Sequence, residues 1–288
     1  MTAIRLLIEP KVHDIGFPVR RLLPVLETRS IGPFVFFDHM GPADFEPNTT
    51  EGDVRPHPHI GLATVTYLFS GALVHRDSLG TVQRIEPGAI NLMTAGRGIV
   101  HSERIPPDIR ANETVVQGIQ TWIALPVVYE NVEPDFQHYT AEQLPGYQED
   151  GVQLRVLIGR MGGLTSPVHT YSPTLYATAI LDEDATLELD ADYQEQGLYV
   201  VSGAVSVNGE PIKAGQLAQF EPGQALTLTA QANSRVMLLG GAPLDGRRHM
   251  YWNFVASSRE RIEEAKADWA AGRFAPVPGE SEFIPLPG

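Results

Sequence analysis

Cysteine is absent from all 288 residues, which excludes disulfides, thiolate metal sites and thiol nucleophiles together. Positive charge is scarce: 21 Lys and Arg stand against 35 Asp and Glu, a formal net charge of −14. A surface of that sign repels a polyphosphate backbone, so direct nucleic-acid binding is not expected. Long apolar runs are missing as well. The opening MTAIRLLIEPKVHDIG is broken by Glu9 and Pro10, which fits neither a signal-peptide core nor a membrane span, so a cytoplasmic protein without a membrane partner is expected. Helical periodicity is rare, and only SSRERIEEAKADWAAG reads clearly as a helix. There Ser257 stands three residues before Glu260 as a capping box, and Gly272 supplies the C′ position. Ile262, Ala265 and Trp269 form one apolar stripe, which predicts a helix lying on a sheet.

What the chain does contain is turn residues, 27 Gly and 23 Pro, separating short runs rich in Val, Ile, Leu, Thr and Tyr. Examples are LATVTYLF (62–69), VVQGIQTWIALP (115–126), VQLRVLIG (152–159) and TLYATAIL (174–181). This pattern predicts an all-β protein of sandwich or barrel type. An internal repeat organises it. YLFSGA at 67–72 returns as YVVSGA at 199–204, an offset of 132, and IEPGAINLM at 85–93 returns as IKAGQLAQF at 212–220, an offset of 127. Two copies of one β module follow, with the five-residue difference absorbed in a hairpin. The polar, turn-rich stretch 132–151 marks the junction, giving domains 1–138 and 139–288.

Two same-face pairs of ligand-type side chains carry the chemistry. His57 and His59 in RPHPHIG stand at i and i+2, which points both imidazoles to one face of a strand. Forty-two residues beyond His59, TAGRGIVHSERIP places His101 and Glu103 in the same relation, with the Pro87-Gly88 turn between to bring one strand beside the other. Three imidazoles and one carboxylate suit Fe, Mn, Ni, Co, Cu or Zn, whereas Ca and Mg want more oxygen. The other reading of the same cluster is a hydrogen-bonded group without metal.

H-P-H before a T-V-T-Y-L strand, then P-G, then T-A-G-R-G-I-V-H-S-E, resembles the pirin family, a branch of the cupins. IGPFVFFDHMGP (31–42) and MYWNFVASSRERIEE (250–264) are similar to it too. The resemblance spans nearly the whole chain. It implies two jelly-roll-like cupin β-barrels facing each other, with a short C-terminal helix. It also implies one mononuclear metal, commonly iron, in the N-terminal barrel, held by His57, His59, His101 and Glu103. The activity implied is a metal-dependent dioxygenase of the quercetin 2,3-dioxygenase type, taking a flavonol-like enol and dioxygen, with Glu103 accepting the enol proton. The alternative it implies is a regulator whose metal oxidation state is read by a protein partner, without turnover.

Many cupins place a glutamate four residues after the second histidine of H-x-H; here that residue is Ala63. The carboxylate role then rests on Glu103 alone, and a glutamate installed at 63 is expected to restore some metal binding to a Glu103→Gln variant if its side chain reaches the same centre. Carried along the repeat offsets, His57, His59, His101 and Glu103 map to Leu189, Ala191, Leu228 and Ala230, so the second barrel is expected to hold no metal. His75 and Asp77, at a strand end, are expected to be solvated or locally hydrogen-bonded.

Overall fold

The computed structural model describes residues 2–15, 17–189 and 192–288. Ala191 therefore lies outside the described residues. Strands dominate, as the alternating runs predict, and they fall into two compact units. One comprises residues 1–12, 20–36 and 142–243; the other comprises 13–19, 37–141 and 244–288.

Each unit is assembled from a large and a small antiparallel sheet. One seven-stranded sheet runs Asp135–Tyr139, Ile90–Thr94, Leu62–Ser70, Val116–Ala124, Phe34–Ala43, Pro18–Leu23, Lys11–Asp14. Its four-stranded companion runs Val54–His59, Ile99–Arg104, Leu73–Asp77, Val82–Ile85. The second seven-stranded sheet runs Ile4–Ile8, Leu217–Phe220, Glu195–Ser202, Ser234–Gly241, Thr174–Leu181, Val152–Ile158, Gly146–Glu149, and its companion runs Thr186–Leu189, Leu226–Ala230, Ala204–Val207, Glu210–Lys213. The two small sheets have the same order, which is the repeat seen in the sequence made into architecture.

Both ends of the chain are exchanged relative to the expected division 1–138 and 139–288. Ile4–Ile8 pairs with Leu217–Phe220, placing the N-terminal strand in the later unit. The C-terminal segment returns to the earlier unit. Ile60 bridges Phe254, the Val255 N–H donates to the Ile60 carbonyl (3.2 Å), and Ile60, Phe254, Ala256, Ile262 and Ala265 share one buried cluster. Gly61 makes this approach possible: its φ is +67°, and a Cβ there would meet the Val255 carbonyl oxygen at 2.0 Å. The division falls inside the 132–151 stretch read as the junction, although that stretch is built into the sheets and not left free. It supplies two strands, and the units divide between Ala141 and Glu142.

The helix spans Arg259–Ala270 with Ile262 and Ala265 buried, but its cap lies one residue later than the sequence suggests. Ser258 Oγ accepts from the Arg261 N–H, while Ser257 binds both carboxylate oxygens of the buried Glu130 through its N–H and hydroxyl. A capping serine and its neighbour are interchangeable in sequence; the Glu130 partner, distant along the chain, decides between them. A five-residue helix, Pro107–Ala111, is an addition the sequence pattern does not disclose.

Candidate metal centre

The ladder between Val54–His59 and Ile99–Arg104 sets His101 opposite His57 and Ile99 opposite His59. The register slips between His101 and Glu103, which faces Val54. Proline cannot donate to a ladder, so the alternation Arg55-Pro56-His57-Pro58-His59 suits an irregular edge. At that irregularity the Arg55 carbonyl accepts the Nδ1–H of His57 at 2.9 Å. Asp53 pins the same end, accepting the Ile105 N–H (2.8 Å) and the guanidinium of the buried Arg110 (2.7 Å).

Ring nitrogens of His57, His59 and His101 lie within 4.8 Å of one another, the one such cluster of metal-type side chains among the described residues. His57 and His101 rings are 4.4 Å apart at their centroids, and His59 Nε2 lies 3.1 Å from His101 Nε2. All three are buried, and burial holds each neutral: His57 falls to about 4, and His59 and His101 lie well below the usual imidazole value. Neutral imidazole is the form that binds a metal. His59 Nδ1, buried beside the Asn253 backbone, makes no hydrogen bond of good geometry. Two unprotonated Nε2 atoms at 3.1 Å repel each other unless a cation or proton stands between them. The donor set thus fits a divalent transition metal.

Glu103 is buried but stands outside the group of three. The single hydroxyl proton of Thr66 is shared between Gln120 Oε1 at 2.7 Å and, more distantly, Glu103 Oε1 at 3.4 Å. Burial raises the Glu103 carboxyl above the usual range, against the smaller lowering effects of His75 and Thr66. Thr66 and Gln120 sit directly opposite each other on the large sheet, so one face of that sheet looks across at the histidines. Thr64 and Trp122 share this face by alternation, and Trp122 lies edge-on to His59 at 5.3 Å.

Ala63 is on the opposite face, paired with Ile123 and Thr94. A glutamate there would not reach the centre, contrary to the expectation from H-x-H spacing. The position 132 residues later is Glu195, whose Oε2 accepts the Gly32 N–H at 2.6 Å. In this repeat the carboxylate on that strand serves the backbone.

His75 and Asp77 are not solvated. Both are buried and bonded to each other, and His75 stacks on Phe136 at 4.5 Å. Two residues on, His138 shares the face of Phe136 and bonds Asn91 Oδ1 through Nδ1 at 2.7 Å. The Phe136/His138 pair at i and i+2 carries the same signal as the ligand pairs, but only the order of the large sheet brings it to this interior.

The repeat can be aligned through its ladders. Leu73 opposite Ile85 matches Val205 opposite Ile212, Glu103 opposite His75 matches Leu228 opposite Val207, and His101 opposite His57 matches Leu226 opposite Leu189. Leu189 therefore stands where the offset places it, while the counterparts of His101 and Glu103 are Leu226 and Leu228, two residues earlier than Leu228 and Ala230. Leu189, Leu226 and Leu228 are packed into an apolar core with Val205 and Val207. A titration with a divalent transition metal should saturate at one equivalent per chain; a second tight equivalent would show that this core is not the end of the metal chemistry.

Residues 16–123 match the family model described as Pirin, and residues 176–275 that described as the Pirin C-terminal cupin domain. A pirin-like protein of Caulobacter vibrioides is 46% identical over 288 residues, spanning 99% of each chain. Pirin of Rattus norvegicus is 31% identical over 265 residues, covering 89% of this chain and 87% of its own. A crystal structure of quercetin 2,3-dioxygenase from Acinetobacter baumannii matches with a TM-score of 0.90 at 34% identity, covering 98% of this chain and 95% of that one.

Proposed function

The chain belongs to the pirin family, and from that premise we propose a metal-dependent dioxygenase of the quercetin 2,3-dioxygenase type, acting on flavonol-like enols with dioxygen. The observation that carries this reading is the convergence of three buried, neutral imidazoles beside a buried carboxylate, on an interior face that also presents Thr66 and Gln120. His57, His59, His101 and Glu103 would hold the ion, with iron the first to test. A divalent ion held there would supply Lewis-acid polarisation of an enol oxygen.

The protein's own groups divide the remaining work. Glu103, raised by burial, is a proton acceptor for the enol hydroxyl, and the Thr66 hydroxyl orients its Oε1. Trp122 and Phe136 offer flat apolar surface to an aromatic substrate, while Gln120 and His138 offer polar edges for its hydroxyls. The hydrogen bonds at the Nδ1 atoms of His57 and His101 keep those rings in place.

The experiment is an oxygen-electrode assay with quercetin on protein of measured metal content. Oxygen uptake should rise in proportion to occupancy. Fully loaded protein that consumes no oxygen with quercetin or related flavonols would overturn the dioxygenase reading.

A further inference from the structure

A buried chain of hydrogen bonds runs from the metal centre into the small sheet. His101 Nδ1 lies 3.3 Å from His75 Nδ1, and His75 Nε2 lies 2.9 Å from Asp77 Oδ2. The other carboxylate oxygen, Asp77 Oδ1, accepts the N–H groups of Leu79 (2.9 Å) and Thr81 (3.0 Å). Ladder register produces the arrangement: on Leu73–Asp77 and Ile99–Arg104, Asp77 faces His101 and His75 faces Glu103. All four side chains share one face.

We propose that Asp77 and His75 are positioning residues that set the tautomer of His101, presenting its Nε2 lone pair to the cluster of three. This inference rests on the metal reading above. Its logic follows from donor and acceptor counting. An ionised Asp77 only accepts, so His75 carries its proton on Nε2. With that one proton on the ring, His75 has only an acceptor at Nδ1, and His101 donates to it from its own Nδ1. One proton remains for the His101 ring and it is spent there, so Nε2 is bare. Phe136 stacked on His75 prevents the ring from turning out of line. Asp77 acts without touching the ion, two hydrogen bonds away.

Asp77→Asn gives the sharpest test, because it preserves shape and reverses one donor. The two backbone N–H groups hold the amide oxygen at the Oδ1 position, which leaves the NH₂ facing His75 Nε2. His75 must then carry its proton on Nδ1, His101 must accept at Nδ1, and the His101 proton moves to Nε2 inside the cluster. Nitrogen-15 NMR of the imidazoles in metal-free protein should show His101 as the Nδ1–H tautomer in the wild type and as the Nε2–H tautomer in Asp77→Asn. Titration with Co(II) should show affinity lower by about 10–100-fold, the scale for loss of a partner behind a ligand.

A second pair covers the case in which Asp77→Asn does not fold. His75→Gln can accept from His101 with its oxygen and donate to Asp77 with its NH₂, whereas His75→Leu can do neither. Affinity for Co(II) should fall in His75→Leu and be largely restored in His75→Gln. Equal affinities in those two variants, an unchanged His101 tautomer in folded Asp77→Asn, or a doubly protonated His75 in the wild type would overturn the proposal. Wild-type protein that shows the expected tautomer but takes up no Co(II) would instead overturn the metal reading.

Discussion

His101→Ala should leave the purified protein with little or no bound metal, an affinity lower by more than about a hundredfold, and no oxygen uptake with quercetin. The estimate starts from the loss expected when only a partner behind a ligand is removed, about 10–100-fold; here a ligand itself is lost. The three rings are mutual neighbours, His101 at 4.4 Å from His57 and 5.0 Å from His59, so its loss opens the cluster on two sides. Without it the cluster of three imidazoles is reduced to two, with only the Glu103 carboxylate of the proposed donor set beside them. His138→Ala is the matched comparison. Its imidazole bonds Asn91 and stands outside the cluster, so metal content should equal that of the wild type even if turnover changes. Elemental analysis of both variants, with circular dichroism to confirm folding, decides the matter. Equal occupancy in the two would remove His101 from the ligand set.

The second large effect belongs to Glu103→Gln. At matched metal content, turnover should fall by roughly a hundredfold or more, the scale for removing a positioned general base. Glutamine keeps the length and can still accept from Thr66, so the hydrogen bond survives while the proton acceptor does not. Metal retention should weaken as well, because the neutral amide no longer offsets the ion's charge. Adding Ala63→Glu should rescue neither loss, since position 63 faces away from the histidines. Full metal and full oxygen uptake in Glu103→Gln would remove Glu103 from both roles.

The histidine pairs were legible in the sequence because i, i+2 alternation is local: once a strand is recognised, the faces follow from the pleat. The repeat was legible for the same reason, since its turns and strand edges recur as words. What escaped depends on partners far along the chain. His75 and Asp77 read as a strand end, yet the neighbouring strand brings His101 over them and Phe136 closes on the ring from the large sheet. Ala63 looked like a vacant ligand position by spacing alone, and only pleat alternation against Thr66 shows which way it faces. The offset of the second ligand pair was misread by two residues because the stretch before that strand is shorter in the second copy. The exchanged chain ends left no local trace at all, as neither Ile4–Ile8 nor the C-terminal segment names its partner in its own residues.

On the ribosome, the three histidines emerge long before their unit can close. The strand that carries His57 and His59 finds its neighbour Phe254 near the end of translation, and Glu280 reaches back to Ser102 and Arg104 later still. Last comes Ile284, whose N–H donates to the carbonyl of Pro56, one residue before the first histidine (2.9 Å). The small sheet that bears His57, His59 and His101 has all four of its strands by residue 104, but the segment that packs against it comes from beyond residue 243. On the proposed reading, a chain stopped after residue 243 would keep every ligand residue yet hold metal more weakly, because Pro56, Ile60, Ser102 and Arg104 beside the histidines would lose their partners in that segment.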